Sequence, residues 1–324
     1  STASFPTLTF LYKVASEIGS IGQNICDLRA QYQDDPILKQ ALCIPGIRVN
    51  LLAHTRWASN GLINIANAHP QGNDLQNMTA EQTRLFAVLN GDIDNFSELL
   101  EAYQIRNDHY APGGVATDAK IIPLLVEEKY KQSGHLQEAF RLTLQELKGS
   151  FAIALHHLDE PEHAWLGLGG SGQSLYLGVH EDSLFYASEL YGFVEGTPSF
   201  IKLDGERERE KGNPSSRGQL FEIERSKIGT EDFFSAWSFD GTSLDASYFK
   251  IQHAEINTRD INIDGYPHYF LKEISESLES VRKTLHGRFF LYRDESEPFR
   301  FNFDNSAVPT KLINKLRSGL IRHI

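Results

Sequence analysis

Apolar and polar positions along the chain change period more than once, and the changes mark the elements. Leu8, Phe10 and Tyr12 alternate with polar or small residues and predict a strand over Ser1 to Lys13. Ile21, Ile25 and Leu28 recur at four and three residues, which predicts helix within Ser16 to Tyr32, and a shorter helix follows Pro36 over Ile37 to Cys43. Val49, Leu51, Leu52 and Ala53 then form an apolar lead-in that stops at Arg56 and Trp57. That reads as a buried strand delivering polar side chains at its end. Leu85 to Leu89 repeats the device and breaks into Asn90-Gly91, after a polar loop over Gly72 to Thr83. Phe96, Leu99, Leu100 and Tyr103 carry the i, i+3, i+4, i+7 spacing of a helix buried on one face. Thr117-Asp118 precedes the apolar run Ile121 to Val126, with Asp118 where a helix cap is expected. Leu136, Phe140, Leu144 and Leu147 share one helical stripe.

From Ser150 the period becomes that of strands. Phe151 to His157, Ala164 to Leu168, Ser174 to Val179 and Ser183 to Ser188 are short, β-prone and separated by turn residues, which predicts an antiparallel meander; Gln219 to Glu224 adds one more strand. Residues 226–265 show little periodicity and read as an extended connector. Leu271, Ile274, Leu278, Val281 and Leu285 then stripe a helix over Lys272 to His286, expected to dock on a neighbouring domain or subunit. Lys311 to Ile324 reads as a further helix, cut short. The glycine-rich Gly167 to Ser174 lacks a Gly-Lys-Ser/Thr ending and leads into a strand, so it predicts a turn near a cleft rather than a phosphate loop.

Composition narrows the function classes. The chain has 324 residues, 40% hydrophobic and 23% charged, with a net charge of −12, which argues against nucleic acid as a partner. No apolar run approaches the roughly 20 residues of a membrane span, so no membrane is expected. Two cysteines, Cys26 and Cys43, give no disulfide framework and fit a reducing compartment, taken as the cytoplasm. The histidines fall in no metal-ligand spacing, so no metal is expected.

Five motifs in order change the picture. HTRWASNG (His54 to Gly61), NAHPQ (Asn67 to Gln71), LNGDIDN (Leu89 to Asn95), TDAK (Thr117 to Lys120) and LKGSFA (Leu147 to Ala152) together resemble class II glutamine amidotransferase domains. The branch most resembled is the glutaminase half of enzymes that aminate fructose 6-phosphate. YPHYFLKEI (Tyr266 to Ile274) is similar to that branch's link to its sugar-isomerase domain. The resemblance implies an α+β fold: a four-layer αββα sandwich of two mainly antiparallel sheets, of the N-terminal-nucleophile hydrolase type, with connector helices at the C-terminal end. It implies a glutaminase-like domain over residues 1–225, a connector with docking helix over 226–300 and the start of a sugar-isomerase domain over 301–324.

The same resemblance assigns roles by motif position. Arg56 holds the substrate's α-carboxylate, with Ser59 adding a hydroxyl and Asn60 lining the pocket; Asp118 takes the α-ammonium; Asn90 and Gly91 form the oxyanion hole; Trp57 separates the ammonia path from solvent. No cofactor is implied. The partners implied are glutamine or glutamate, a sugar phosphate bound by a further C-terminal domain, and a second copy of the chain. Taken singly, each residue has a plainer reading: Arg56 an ion-pair partner, Asp118 a helix cap, Asn90-Gly91 a turn. Their shared order selects the site.

Departures leave two readings open. Leu89 and Asn60 stand where the family has histidine. The family's nucleophile is an N-terminal cysteine whose own amine is the base, whereas Ser1-Thr-Ala-Ser resembles a segment that follows that cysteine. The expectation is therefore either an amidotransferase with its nucleophile upstream of Ser1, or a degenerate, non-catalytic amino-acid-binding module.

Overall fold

The computed structural model describes residues 7–16, 22–56, 61–75, 78, 82–108, 114–206, 212–213, 216–230, 232–254, 265–285, 289–291, 299–301 and 309–321. Ser1, Trp57, Ser59 and Asn60 lie outside these.

The described chain divides into two compact units, one to Asn257 and one from Thr258. In the first, helices α1 (Gln23–Asp34) and α2 (Pro36–Leu42) precede β1 (Gln71–Gly72) and β2 (Leu85–Ile93). Then come α3 (Phe96–Asn107), α4 (Ile121–Ser133) and α5 (Leu136–Glu146). Strands β3 (Gly149–His157), β4 (His163–Gly169), β5 (Tyr176–Val179), β6 (Leu184–Ala187), β7 (Ser199–Lys202) and β8 (Gln219–Glu224) follow. Strands β9 (Phe234–Ser238), β10 (Ser243–Leu244) and β11 (Gln252–His253) complete the unit.

Two antiparallel sheets result, with strand orders β1-β2-β3-β4-β8-β9-β10 and β11-β7-β5-β6. Period-2 alternation decides the layering. Leu85, Ala87 and Leu89 of β2, with Phe151, Ile153 and Leu155 of β3, face α4 and α5, where they meet Ile121, Leu125, Phe140 and Leu144. Val88, Ala152 and Ala154 face the other way and pack with Leu177 and Ile201 of the smaller sheet. The fold is thus α+β with two stacked antiparallel sheets, helices covering one outer face. Of α1 and α2, only Ala41 is buried.

The structure departs from the expected elements at several places. Arg48–Arg56 is not a strand: Val49 and Leu51 are exposed, and no backbone ladder reaches them. Its hold is by side chains instead, Arg48 to Glu162, Asn50 to the Pro161 carbonyl, Arg225 to the Val49 carbonyl, and Tyr186 to the Leu51 carbonyl. Residues 7–16 likewise form no strand. The boundary at 225 falls inside the larger sheet, because β9 and β10 continue it past β8 and β11 closes the smaller one. Strand β7, unanticipated in the sequence, joins β5 to β11.

The second unit holds a helix, α6 (Tyr269–Leu285), a β12–β13 hairpin (Phe289–Leu291 and Phe299–Phe301) and α7 (Thr310–Arg317). The helix expected over Lys272 to His286 is formed, but Leu271, Ile274, Leu278 and Val281 of its stripe stand exposed.

Candidate active site

The ends of β2, β3 and β4 coincide, because the antiparallel register sets Gly91 opposite Phe151 and Phe151 opposite Gly169. A cleft of about 640 Å³ opens there, lined by Asp92, Ser150, Gly170, Gln173, Glu206 and Arg217 among others. The glycine-rich turn after β4 therefore borders the cleft, with the Gly172 N–H donating to Ser150 Oγ at 2.7 Å.

Gly91 is the residue this geometry demands. Its φ is +119°, and a Cβ there would lie 2.1 Å from the Ser150 carbonyl oxygen. Asn90, beside it, is half-buried. Two residues on, the Ile93 N–H donates to Asp118 Oδ2 at 3.0 Å, so β2 and the Asp118 segment are joined directly.

Asp118 does not cap the long helix; it opens the short 3₁₀ turn Asp118–Lys120 that leads into α4, and Thr117 is the capping residue. Its Oδ1 accepts from the Ala119 N–H at 3.0 Å. Burial pushes the Asp118 carboxyl above the usual carboxylate range, and Asp92 pushes the same way, against the Ile93 and Ala119 N–H groups. Arg56 is held below its ordinary value by burial, while Asp118 draws it back up. Arg56 thus feels the charge of Asp118, and Asp118 is bonded to the strand that carries Asn90 and Gly91.

A motif with no role assigned in the sequence frames this neighbourhood. His69 stacks on His54 with ring centroids 4.2 Å apart, and its Nδ1 accepts from the Leu89 N–H at 3.3 Å. Burial brings His54 down to about 4 and His69 to about 2, with Arg56 adding to both, so both rings are neutral near pH 7. Asn67 is fully buried, and Gln71 Nε2 donates to the Ala66 and Ala68 carbonyls. Lys120 is buried as well, its ammonium donating to the Gly72 carbonyl at 2.7 Å and to Asp74 at 2.8 Å, which fastens the turn to β1. The motif's appearance in order was the only sequence signal for these residues. Among the described residues, no group of three or more His, Cys, Asp or Glu is placed to hold a metal ion.

Residues 65–195 match the family described as glutamine amidotransferase domain. The chain carries a class II glutamine amidotransferase domain. It is 32% identical over 255 residues to glutamine–fructose-6-phosphate aminotransferase [isomerizing] of Thermococcus kodakarensis, covering 78% of this chain and 36% of that protein. The enzyme of the same name from Halalkalibacterium halodurans is 29% identical over 257 residues, again 78% of this chain and 36% of the relative. The chain thus spans about a third of the length of these curated relatives. Among solved structures, the glutamine phosphoribosylpyrophosphate amidotransferase from B. subtilis complexed with ADP and GMP is 20% identical with a TM-score of 0.40, over 57% of this chain and 34% of that one, a likeness too loose to bear weight.

Proposed function

We propose that the chain is the glutamine-hydrolysing part of an enzyme that passes ammonia to a sugar phosphate, fructose 6-phosphate. What supports this is the carboxylate of Asp118, held by the Ile93 N–H at the end of β2 and close enough to Arg56 for its charge to act on the guanidinium. An α-amino acid presents a carboxylate and an ammonium on one carbon, and a guanidinium with a carboxylate nearby is their complement. In this reading the planar fork of Arg56 takes the α-carboxylate by two parallel hydrogen bonds, with Ser59 and Asn60 beside it, and Asp118 takes the ammonium. The Asn90 amide and the Gly91 N–H hold the oxyanion that forms when the family's cysteine attacks the side-chain amide. Trp57 keeps the released ammonia from solvent. Cys26 and Cys43 are both exposed and take no part. A cytoplasmic homo-oligomer is the setting that accompanies this reading.

Leu89 supports a second reading. It is 3% exposed and packed in the core where the family has histidine, and it backs the oxyanion donors with hydrocarbon. A non-catalytic amino-acid-binding module would tolerate that change. Glutamate release from glutamine by the full-length protein, with calorimetry on wild type and Arg56→Ala, separates the two. The expected result is glutamate release, with Arg56→Ala binding about ten- to a hundredfold more weakly, the equivalent of a charge-assisted contact of roughly 1.5–3 kcal/mol. Tight binding without hydrolysis would select the second reading. Equal affinity in wild type and variant would remove the site altogether.

A further inference from the structure

Two segments that carry the proposed charge pair touch each other through one side chain. Gly61, five residues after Arg56 in the sequence, has φ +79°, and a Cβ there would sit 3.0 Å from the Ala116 carbonyl oxygen, so the two stretches abut closely. Asn67 bridges them. Its Nδ2 donates to the Leu62 carbonyl at 3.0 Å, and its Oδ1 accepts from the Ala116 N–H at 2.7 Å and the Thr117 N–H at 3.1 Å. Its own N–H donates to Asn64 Oδ1 at 2.8 Å. The amide's orientation is settled by its partners: turned over, it would set an NH₂ against two N–H donors and an oxygen against a carbonyl. Asn67 has no exposure to water and the Thr117 N–H it holds is buried, so loss of that bond would leave a buried backbone group unpaired.

We infer that Asn67 is a positioning residue for amino-acid binding. It fixes the separation between Leu62, six residues after Arg56 in the sequence, and the Asp118 segment at Ala116 and Thr117. This rests on the reading of Asp118 as the ammonium's partner. Asn67 touches no substrate; it acts by keeping Asp118 where an ammonium held by Arg56 can reach it.

The test compares glutamate with glutarate, which lacks only the α-ammonium, by calorimetry on the full-length protein. Wild type is expected to prefer glutamate by at least about tenfold, the scale of a charge-assisted contact. In Asn67→Ala that preference should fall to within about threefold of unity while glutarate affinity changes less. A residue with a merely structural role would weaken both ligands by the same factor and keep the preference, which would overturn the inference. Asn67→Ser, whose hydroxyl can still accept one of the two N–H groups, carries the same comparison if thermal unfolding shows Asn67→Ala to be unfolded. Asp118→Asn separates the failures: if wild type already lacks the preference and Asp118→Asn binds both ligands as wild type does, the reading of Asp118 fails and takes this one with it.

Discussion

At the scale of the residue, the candidate site is built on groups whose surroundings admit few alternatives. Gly91 has a backbone conformation that side-chain-bearing residues rarely adopt, and its neighbour across the ladder leaves no room for a methyl group. Gly91→Ala should therefore cost about 1–3 kcal/mol from conformation alone, with the clash against the Ser150 carbonyl added. Thermal unfolding of the variant measures this, and an unchanged midpoint would mean that β2 and β3 separate there at little cost. The buried Lys120 is a different case. Its ammonium is kept below the ordinary lysine range by burial, with Asp74 opposing, and the stem fills space between β1 and α4. Such a pair specifies where the turn docks more than it adds to stability.

At the scale of the element, titration separates histidines that sequence cannot tell apart. His163 on β4 lies 3.1 Å from Glu222 on the adjacent β8, and this carboxylate raises it above its ordinary 6.5 against the effect of burial. A raised folded value means the pair stabilises fully below pH 6.5 and loses that contribution as pH rises through the folded value. The unfolding midpoint of wild type should exceed that of His163→Gln at about pH 6 and approach it by about pH 8.5, by less than about 1 kcal/mol because the pair is partly exposed. A difference that grows with pH would refute the assignment. The helices were legible wherever the apolar stripe was complete, as in α5 with Leu136, Phe140 and Leu144, and β2 was legible from its apolar run and the Asn-Gly break. The short strands β7, β9, β10 and β11 were not, since two to five residues hold too few alternations to show a period. Val49 to Leu52 was misread for the opposite reason: its composition favours a strand, but a strand exists only where a neighbour supplies the ladder. Motif order proposes Arg56 and Asp118 as binding residues, whereas it gives Asn67 no role, because two of its hydrogen bonds span about fifty residues of sequence.

At the scale of the whole molecule, the larger sheet organises the first unit, and its edges explain where that unit ends. The strands after β8 are short, yet β9 pairs with five residues of β8 and covers Phe221 and Ile223, so the sheet is not complete at residue 225. None of the helices among the described residues is long and apolar enough to cross a membrane. The proposed binding groups are distributed very unevenly over this framework. Asp118, Asn90 and Gly91 are fastened to the central ladder, whereas Arg56 rides at the end of a segment that, among the described residues, no strand pairing joins and that side-chain contacts hold. In amide hydrogen exchange the two sides should differ sharply: Val88 to Asn90 protected close to the global unfolding limit, Leu51 to Arg56 exchanging by local opening. A bound amino acid then has to order the arginine's side while finding the other already rigid, so part of its intrinsic affinity is spent as lost backbone entropy. Saturating glutamate should slow exchange at Leu51 to Arg56 and leave Val88 to Asn90 as it was; equal protection in the free chain would mean that side-chain contacts make a rigid jaw.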